Sequence, residues 1–392
     1  MRTALNKSIA GTVALIIALV MAEVLVRLFY SPGDFLIVKL VPDPVLGHRI
    51  PPDSGGHDAS GYRNRAVPDR VAIIAVGDSQ TYGTSAGDLE SWPSQLAEMS
   101  GQAVYNMGVG GYGPLDYGQV ANEGVARLAP EVVVVGLYFG NDLMDCYHDV
   151  YSTDVYPDLR QPERATTARR DADTKPTNEH WSRGLRTWLA QHSMLYGLIK
   201  NRLSNAVFFL RAQAEAEEVG ADQLMVWQDP ERPAIRTAFT PRRRLDALGL
   251  DDERISEGRR IAAEAMRRLK HELDEKGVAM LVVLIPTKES VYESLVESQG
   301  STVPDALRAL WAAERYWRRA MTDSLSEQGI PWVDALPALQ SALREGRQLY
   351  LQNGDGHPIG AGYGEIAKLV AAHETVRRVN PLRDDVRGRD DS

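Results

Sequence analysis

The sequence predicts an α/β fold in which a parallel β-sheet is covered by helices on both faces. Short, continuous apolar runs rich in β-branched residues recur at 71–76, 131–138 and 278–285, the pattern of strands buried on both sides. Stretches with helical spacing separate them, as the crossovers between parallel strands require. Segments rich in Gly, Asn, Asp and Ser follow the strands, at the edge where open α/β sheets bind ligands.

Taken in chain order, the first thirty residues stand apart. Arg2 and Lys7 precede an apolar run at 9–22 that resumes after Glu23 and again after Arg27. One reading is a signal peptide cleaved after Val20-Met21-Ala22. The preferred reading is a retained anchor, because apolar character persists past that point and a helix over 9–30 could cross roughly 30 Å of hydrocarbon. Glu23 and Arg27, four apart, can pair on one helical face. The N-terminal positive charges favour a cytoplasmic start with the bulk of the chain outside. This predicts a single-pass protein of the inner (cytoplasmic) membrane with a periplasmic body. Residues 31–70, rich in Pro, Gly and Asp, read as an irregular juxtamembrane segment leading off the membrane.

The α/β pattern then begins. Strands are expected at 71–76, 103–109, 131–138, 278–285 and 332–333, and helices at 91–99, 115–128, 255–276, 304–328 and 360–378. Residues 147–180 are polar and read as a loop or lid, 181–218 as helical, and 219–255 as mixed. One domain is therefore expected over 71–380, with an insertion at about 147–255 and a disordered tail at 381–392. No internal repeat is apparent.

Composition narrows the function. The 392 residues are 44% hydrophobic and carry a formal net charge of −9, which argues against a nucleic-acid binder. Cys146 is the one cysteine, so no intramolecular disulfide and no Cys-based zinc site can form.

Four segments carry candidate chemistry. In Gly77-Asp78-Ser79-Gln80, directly after the first strand, Ser79 sits where a strand turns into a helix; it is a candidate nucleophile, or an ordinary helix cap. In 106–114, Gly108, Gly110 and Gly113 match a dinucleotide-binding spacing. Pro114 follows, however, and the next strand ends in Gly140-Asn141 rather than an acid, so the dinucleotide reading is set aside. Glycines there instead let backbone approach a substrate oxygen. Asn141 is a candidate oxyanion donor or a turn residue. Asp142, Asp145 and His148 have metal-ligand chemistry, but their spacing fits no single helical face cleanly. Asp355 and His357, two apart, could place one His nitrogen on the carboxylate and the other toward Ser79.

Together these segments resemble the SGNH, or GDSL, hydrolase family. By motif, Ser79 matches the family nucleophile, Gly111 the oxyanion glycine, Asn141 the oxyanion asparagine, His357 the base and Asp355 its partner, with Ser79 also supplying an oxyanion N–H. The resemblance implies a flavodoxin-like three-layer α/β/α fold with a parallel sheet, and covers roughly 71–145 and 278–377. Two departures stand out. Gln80 replaces the family leucine, and Asp355-x-His357 is one residue shorter than the usual Asp-x-x-His. The shorter spacing, the segment from Ile285 to Tyr292 and an anchor ahead of a domain with a long insertion are similar to the membrane-associated polysaccharide O-acetyltransferases, including the alginate acetylation proteins.

The function so implied is acyl-enzyme chemistry by a membrane-bound esterase or O-acetyltransferase on an acyl ester or an envelope glycan. It needs no cofactor and no metal, and no protein partner is indicated. Trp181, Trp188 and Trp227 are candidate sugar-stacking residues, or core. The alternative function is a catalytically inactive relative that binds polysaccharide or a partner in glycan assembly.

Overall fold

The computed structural model describes residues 2–161, 181–300 and 302–379. Helix α1 (Arg2–Phe29) contains a 21-residue stretch, Ile9–Phe29, of mean hydropathy 2.6. That is long and apolar enough to cross a membrane, and large side chains such as Leu15, Ile16 and Leu19 are exposed along it. Glu23 and Arg27 pair at 2.8 Å, as their spacing suggested.

Residues 31–70 are irregular but not a free stalk. After a short turn at Pro32–Asp34, strands β1 (Val41–Asp43) and β2 (Gly47–Arg49) form an antiparallel ribbon. Leu46, Ile50, Tyr62 and Arg63 are buried against the rest of the chain. The expectation of a segment leading away from the membrane is corrected to one that folds back onto the sheet.

The central sheet begins with β3 (Ile73–Gly77), followed by the one-turn α2 (Ser79–Tyr82) and by α3 (Trp92–Ser100). Ser91 caps α3 by accepting the Ser94 N–H, Pro93 fits its first turn, and Gly101 ends it at φ +67°. Strand β4 (Val104–Asn106) is shorter than the expected 103–109, although Met107 and Val109 still donate to the Ala75 and Gly77 carbonyls of β3, and the loop beyond it is held by the Asn106 side chain. Its amide donates to the Thr81 carbonyl and its oxygen accepts the Gly108 N–H. Helix α4 (Pro114–Leu128) and β5 (Val132–Tyr138) follow.

Helix α5 (Asp142–Ser152) occupies the start of the expected loop at 147–180. Its buried Leu143, Cys146, Tyr147 and Val150 lie at helical spacing, which the polar neighbours had masked. The rest of that loop, 162–180, and the charged tail lie outside the described residues.

The insertion is two helices, α6 (Trp181–His192) and α7 (Met194–Val219), then an antiparallel hairpin, β6 (Met225–Gln228) with β7 (Arg236–Phe239), and the short α8 (Pro241–Leu245). The α6–α7 junction is fastened to α1. Glu23 accepts from the Ser193 hydroxyl and from the N–H groups of Met194 and Leu195, and Arg27 donates to the His192 carbonyl. Trp227 is core, edge-on to Tyr292 at 5.6 Å, whereas Trp188 is exposed; the Trp181 side chain lies outside the described residues.

Helix α9 (Glu253–Glu275) leads to β8 (Ala279–Ile285), then α10 (Lys288–Ser298), α11 (Asp305–Glu327), β9 (Trp332–Asp334), α12 (Leu336–Arg344), α13 (Gly360–Ala372) and α14 (Glu374–Arg377). Helices α10 and α12 had no counterpart among the expectations. The expected 360–378 helix breaks at His373, where ψ is 139°.

All five core strands are parallel, in the order β4-β3-β5-β8-β9. Counting core strands along the chain, that is 2-1-3-4-5, the flavodoxin-like order, with its switch point between β3 and β5. Every residue of β3 and β5 is buried, which is why both read as unbroken apolar runs. Helices α3 and α13 pack together, and α4, α5 and α11 pack on α9. Right-handed crossovers put these two groups on opposite faces.

Gly258 sets the closeness of α9 to α5: a Cβ there would lie 1.7 Å from the Leu143 carbonyl oxygen. Because the obstacle is backbone, Gly258→Ala is expected to lower unfolding stability by roughly 2–4 kcal/mol. A melting curve superimposable on wild type would show that the two helices separate freely.

Candidate active site

The turn that carries Ser79 is shaped by glycines. Gly77 and Gly136 are register partners across β3 and β5. A Cβ on Gly77 would lie 2.1 Å, and one on Gly136 2.4 Å, from the Thr81 hydroxyl oxygen. A Cβ on Gly108 would lie 2.4 Å from the Tyr82 nitrogen. Thr81 is thus sunk among three glycines, and the chain turns sharply as it leaves the strand. Asp78 caps that turn by accepting the Gln80 N–H at 2.8 Å. Ser79, one residue on, is left facing the last loop of the domain.

In that loop His357 Nε2 lies 2.8 Å from Ser79 Oγ, and Nδ1 lies 2.5 Å from Asp355 Oδ1. The two-residue spacing works because Asp355 also accepts the His357 backbone N–H at 3.0 Å, closing a tight turn. The other carboxylate oxygen accepts the Ser85 hydroxyl at 2.6 Å. Burial raises the pKa of Asp355, but the hydrogen bond and charge of His357, the Ser85 hydroxyl and the backbone N–H outweigh it and hold the carboxyl well below its usual range. An ionised carboxylate only accepts, so Nδ1 carries the proton and Nε2 presents its lone pair to Ser79.

The structure brings Ser79, His357 and Asp355 into one hydrogen-bonded chain. It places Gly111 and Asn141 at neighbouring strand ends without a hydrogen bond to Ser79. Gly111 has φ +87°, and a Cβ on the preceding Gly110 would lie 3.6 Å from Ser79 Cβ. Asn141 directs one amide N–H to Asp145, leaving its second donor uncommitted. Asp142, Asp145 and His148 do not converge. Asp142 is buried, accepting from Tyr138 N–H and the Tyr117 hydroxyl, while His148 is exposed.

Several contributors escaped the sequence reading. Ser85 holds a non-glycine left-handed conformation at φ +69°, a cost of order 1 kcal/mol. Arg63, from the folded-back segment, donates to the Gly83 and Ala86 carbonyls and pairs with Asp34 at 2.8 Å. His48 bonds the Gly110 carbonyl at 3.0 Å. The buried Lys288 donates to the Ala238 and Asn353 carbonyls, tying the insertion hairpin to the loop that carries Asp355 and His357, and burial pulls its pKa down to about 8. Arg244, on α8, lies against Gly356, between Asp355 and His357. The one available signal was the run Thr287-Lys288-Glu289-Ser290, ionisable residues directly after a buried strand. The others depend on contacts distant in sequence.

A cleft of about 1150 Å³ runs from Phe29 and Tyr30 past Phe35 and Arg202 to Ser85 and Asp355. Ser79 and His357 do not line it, so it reaches the hydrogen-bonded chain Ser79–His357–Asp355 from the carboxylate side.

Residues 249–382 match the family model described as "SGNH hydrolase-like domain, acetyltransferase AlgX". The match includes Asp355 and His357, and Ser79, Gly111 and Asn141 lie ahead of it. No curated protein matches the chain in sequence. Among solved structures, the chain is similar to a G-D-S-L family lipolytic protein from Desulfitobacterium hafniense, at 12% identity over 76% of this chain and 97% of that one, TM-score 0.35. It is also similar to a G-D-S-L family member from Veillonella parvula, at 10% identity over 76% and 94%, TM-score 0.36. A catalytic variant of an acetylxylan esterase from Geobacillus stearothermophilus is similar at 13% identity over 79% and 98%, TM-score 0.36. At these values the likeness says nothing of chemistry, which rests on this chain's own residues.

Behind Asn141 the fold buries carboxyls. Burial, partly offset by the Asn141 hydrogen bond and reinforced by Asp78, pushes Asp145 up to about 6, and burial also raises Asp142 and Asp149. Between the ordinary value of 3.8 and about 6, folded Asp145 keeps a proton that the unfolded chain has released. Its contribution to stability therefore falls as pH rises through that window, at a cost of order 2–3 kcal/mol once ionised. Asp355 has the opposite sign, but its window lies below 3.8. Asp145→Asn is expected to gain stability on wild type as pH rises from about 4 to 8, read by denaturant unfolding at each pH. A pH-independent difference between the two would mean Asp145 ionises normally.

Proposed function

We propose that the chain is a serine-dependent acyl hydrolase or O-acyltransferase of the SGNH kind, anchored by α1, with its body outside the cytoplasm. Its substrates are ester-linked acyl groups of an exported glycan. The observation that carries this is the unbroken chain Ser79 Oγ–His357 Nε2, His357 Nδ1–Asp355. The acetyltransferase family matched at 249–382 supports an acetyl group as the acyl unit.

The steps follow from the geometry. His357 Nε2 takes the Ser79 proton as Oγ attacks the ester carbonyl, and Asp355 stabilises the imidazolium. Negative charge on the carbonyl oxygen is met by the N–H groups of Ser79 and Gly111 and by the second amide N–H of Asn141. One such donor is worth about 3–4 kcal/mol of barrier. His357 then protonates the departing alkoxide. A second hydroxyl attacks the acyl-enzyme, giving its proton to His357, which passes it to Ser79 Oγ as the acyl–serine bond breaks. Water as that hydroxyl makes the enzyme an esterase; a sugar hydroxyl makes it a transferase.

Wild-type protein should label with a fluorophosphonate and turn over aryl acetates, and Ser79→Ala should do neither. Label retained by Ser79→Ala would move the nucleophile elsewhere. Wild-type protein inert across acyl lengths would favour a glycan-binding role instead. Asp355→Asn is expected to lower kcat by roughly 10⁴, since the imidazole loses its tautomer and orientation. Asn141→Ala should cost roughly 10²–10³, and an Asn141→Ala rate equal to wild type would remove it from the oxyanion site.

A further inference from the structure

We propose that α6 and α7 form a membrane-surface face whose partner is an anionic lipid bilayer, an inference that rests on α1 being a retained anchor. On α6, Leu185 and Trp188, three apart, are 56% and 55% exposed. On α7, Ile199, Leu203 and Val207, each four apart, are 46%, 58% and 37% exposed. Residues at these spacings share one side of a helix, so each helix carries an apolar stripe that nothing among the described residues covers.

Charge selects the partner. From 181 to 214 the chain has Arg183, Arg186, Lys200, Arg202 and Arg211 and no acidic residue, within a protein of net charge −9; the acids of α7, Glu215, Glu217 and Glu218, fall at its far end, beyond the apolar stripe. Apolar stripes with Trp, flanked by cations along their length, have the composition of helices that lie in a bilayer interface beside acidic lipids. An apolar docking site for a soluble protein would need no such one-signed border.

Position agrees with composition. The α6–α7 junction is held at the carboxyl end of α1, by Glu23 accepting from Ser193, Met194 and Leu195 and by Arg27 donating to His192. Beyond this clamp the apolar stretch ends in exposed Leu28 and Phe29. A helix pair fastened there sits at the depth where a spanning α1 leaves the hydrocarbon. The cleft leading to Ser85 and Asp355, with Arg202 in its wall, then opens beside the lipid surface.

The test uses the full chain in nanodiscs containing acidic lipid and a doxyl-lipid quencher. Single cysteines are introduced by Leu185→Cys, Leu203→Cys, Leu15→Cys and Leu250→Cys and labelled with an environment-sensitive dye; the native Cys146 is buried. Labels at 185, 203 and 15 should be quenched and the label at 250, on an exposed leucine outside α1, α6 and α7, should not. With Arg186→Glu, Lys200→Glu and Arg202→Glu combined, quenching at 203 should fall while that at 15 holds. If 185 and 203 behave like 250 while 15 is quenched, the anchor stands and the surface face is refuted. If 15 is also unquenched, the anchor reading fails and this proposal fails with it.

Discussion

The site depends on a steric constraint where β3 ends. Gly77, Gly108 and Gly136 surround Thr81 so closely that a single added carbon at any of them would strike the turn that carries Ser79. Gly77 and Gly136 face each other because β3 and β5 pair in parallel register, and Gly108 arrives because Met107 and Val109 on either side of it still donate to β3 carbonyls. The sheet order, the strand lengths and the turn are thus one problem with one solution. Moving any strand by a residue would put a larger side chain into the pocket of Thr81 and swing Ser79 away from His357.

Electrostatics around this turn is divided. On the His357 side, Asp355 is kept ionised by the donors about it. On the Asn141 side, carboxyls are buried with too few donors and are pushed toward the neutral form. Only the first sets the His357 tautomer that turns a lone pair to Ser79. The second leaves Asp145 neutral only below about pH 6, where its carboxyl oxygen still accepts from the Asn141 amide.

The parts legible in the sequence were those with local signals. Strands 131–138 and 278–285 appeared as apolar runs and formed within a residue or two of expectation. The spacing of Asp355 and His357, with Ser79 after a strand, was enough to suspect that they meet. What stayed hidden were contacts between remote segments. Arg63 looked like one charge among many in an irregular stretch, and Ser85 like a loop serine. Helix α5 was concealed because its buried face alternates with Asp and His, which lower the average hydrophobicity without breaking the period. The clamp on α1 was half legible. The spacing of Glu23 and Arg27 foretold their pairing, but not that both also hold the α6–α7 junction.

The folding-back of residues 31–70 has a further consequence. Forty flexible residues would act as a leash of roughly 35 Å, letting an enzyme sweep a volume above its anchor. Here Arg63 and His48 lock that length of chain to the loops after β3 and β4. With α1 in a bilayer, the Ser79–His357 pair would have no reach of its own. It would meet only what diffuses or is threaded through one thin layer, and encounter would become a two-dimensional search.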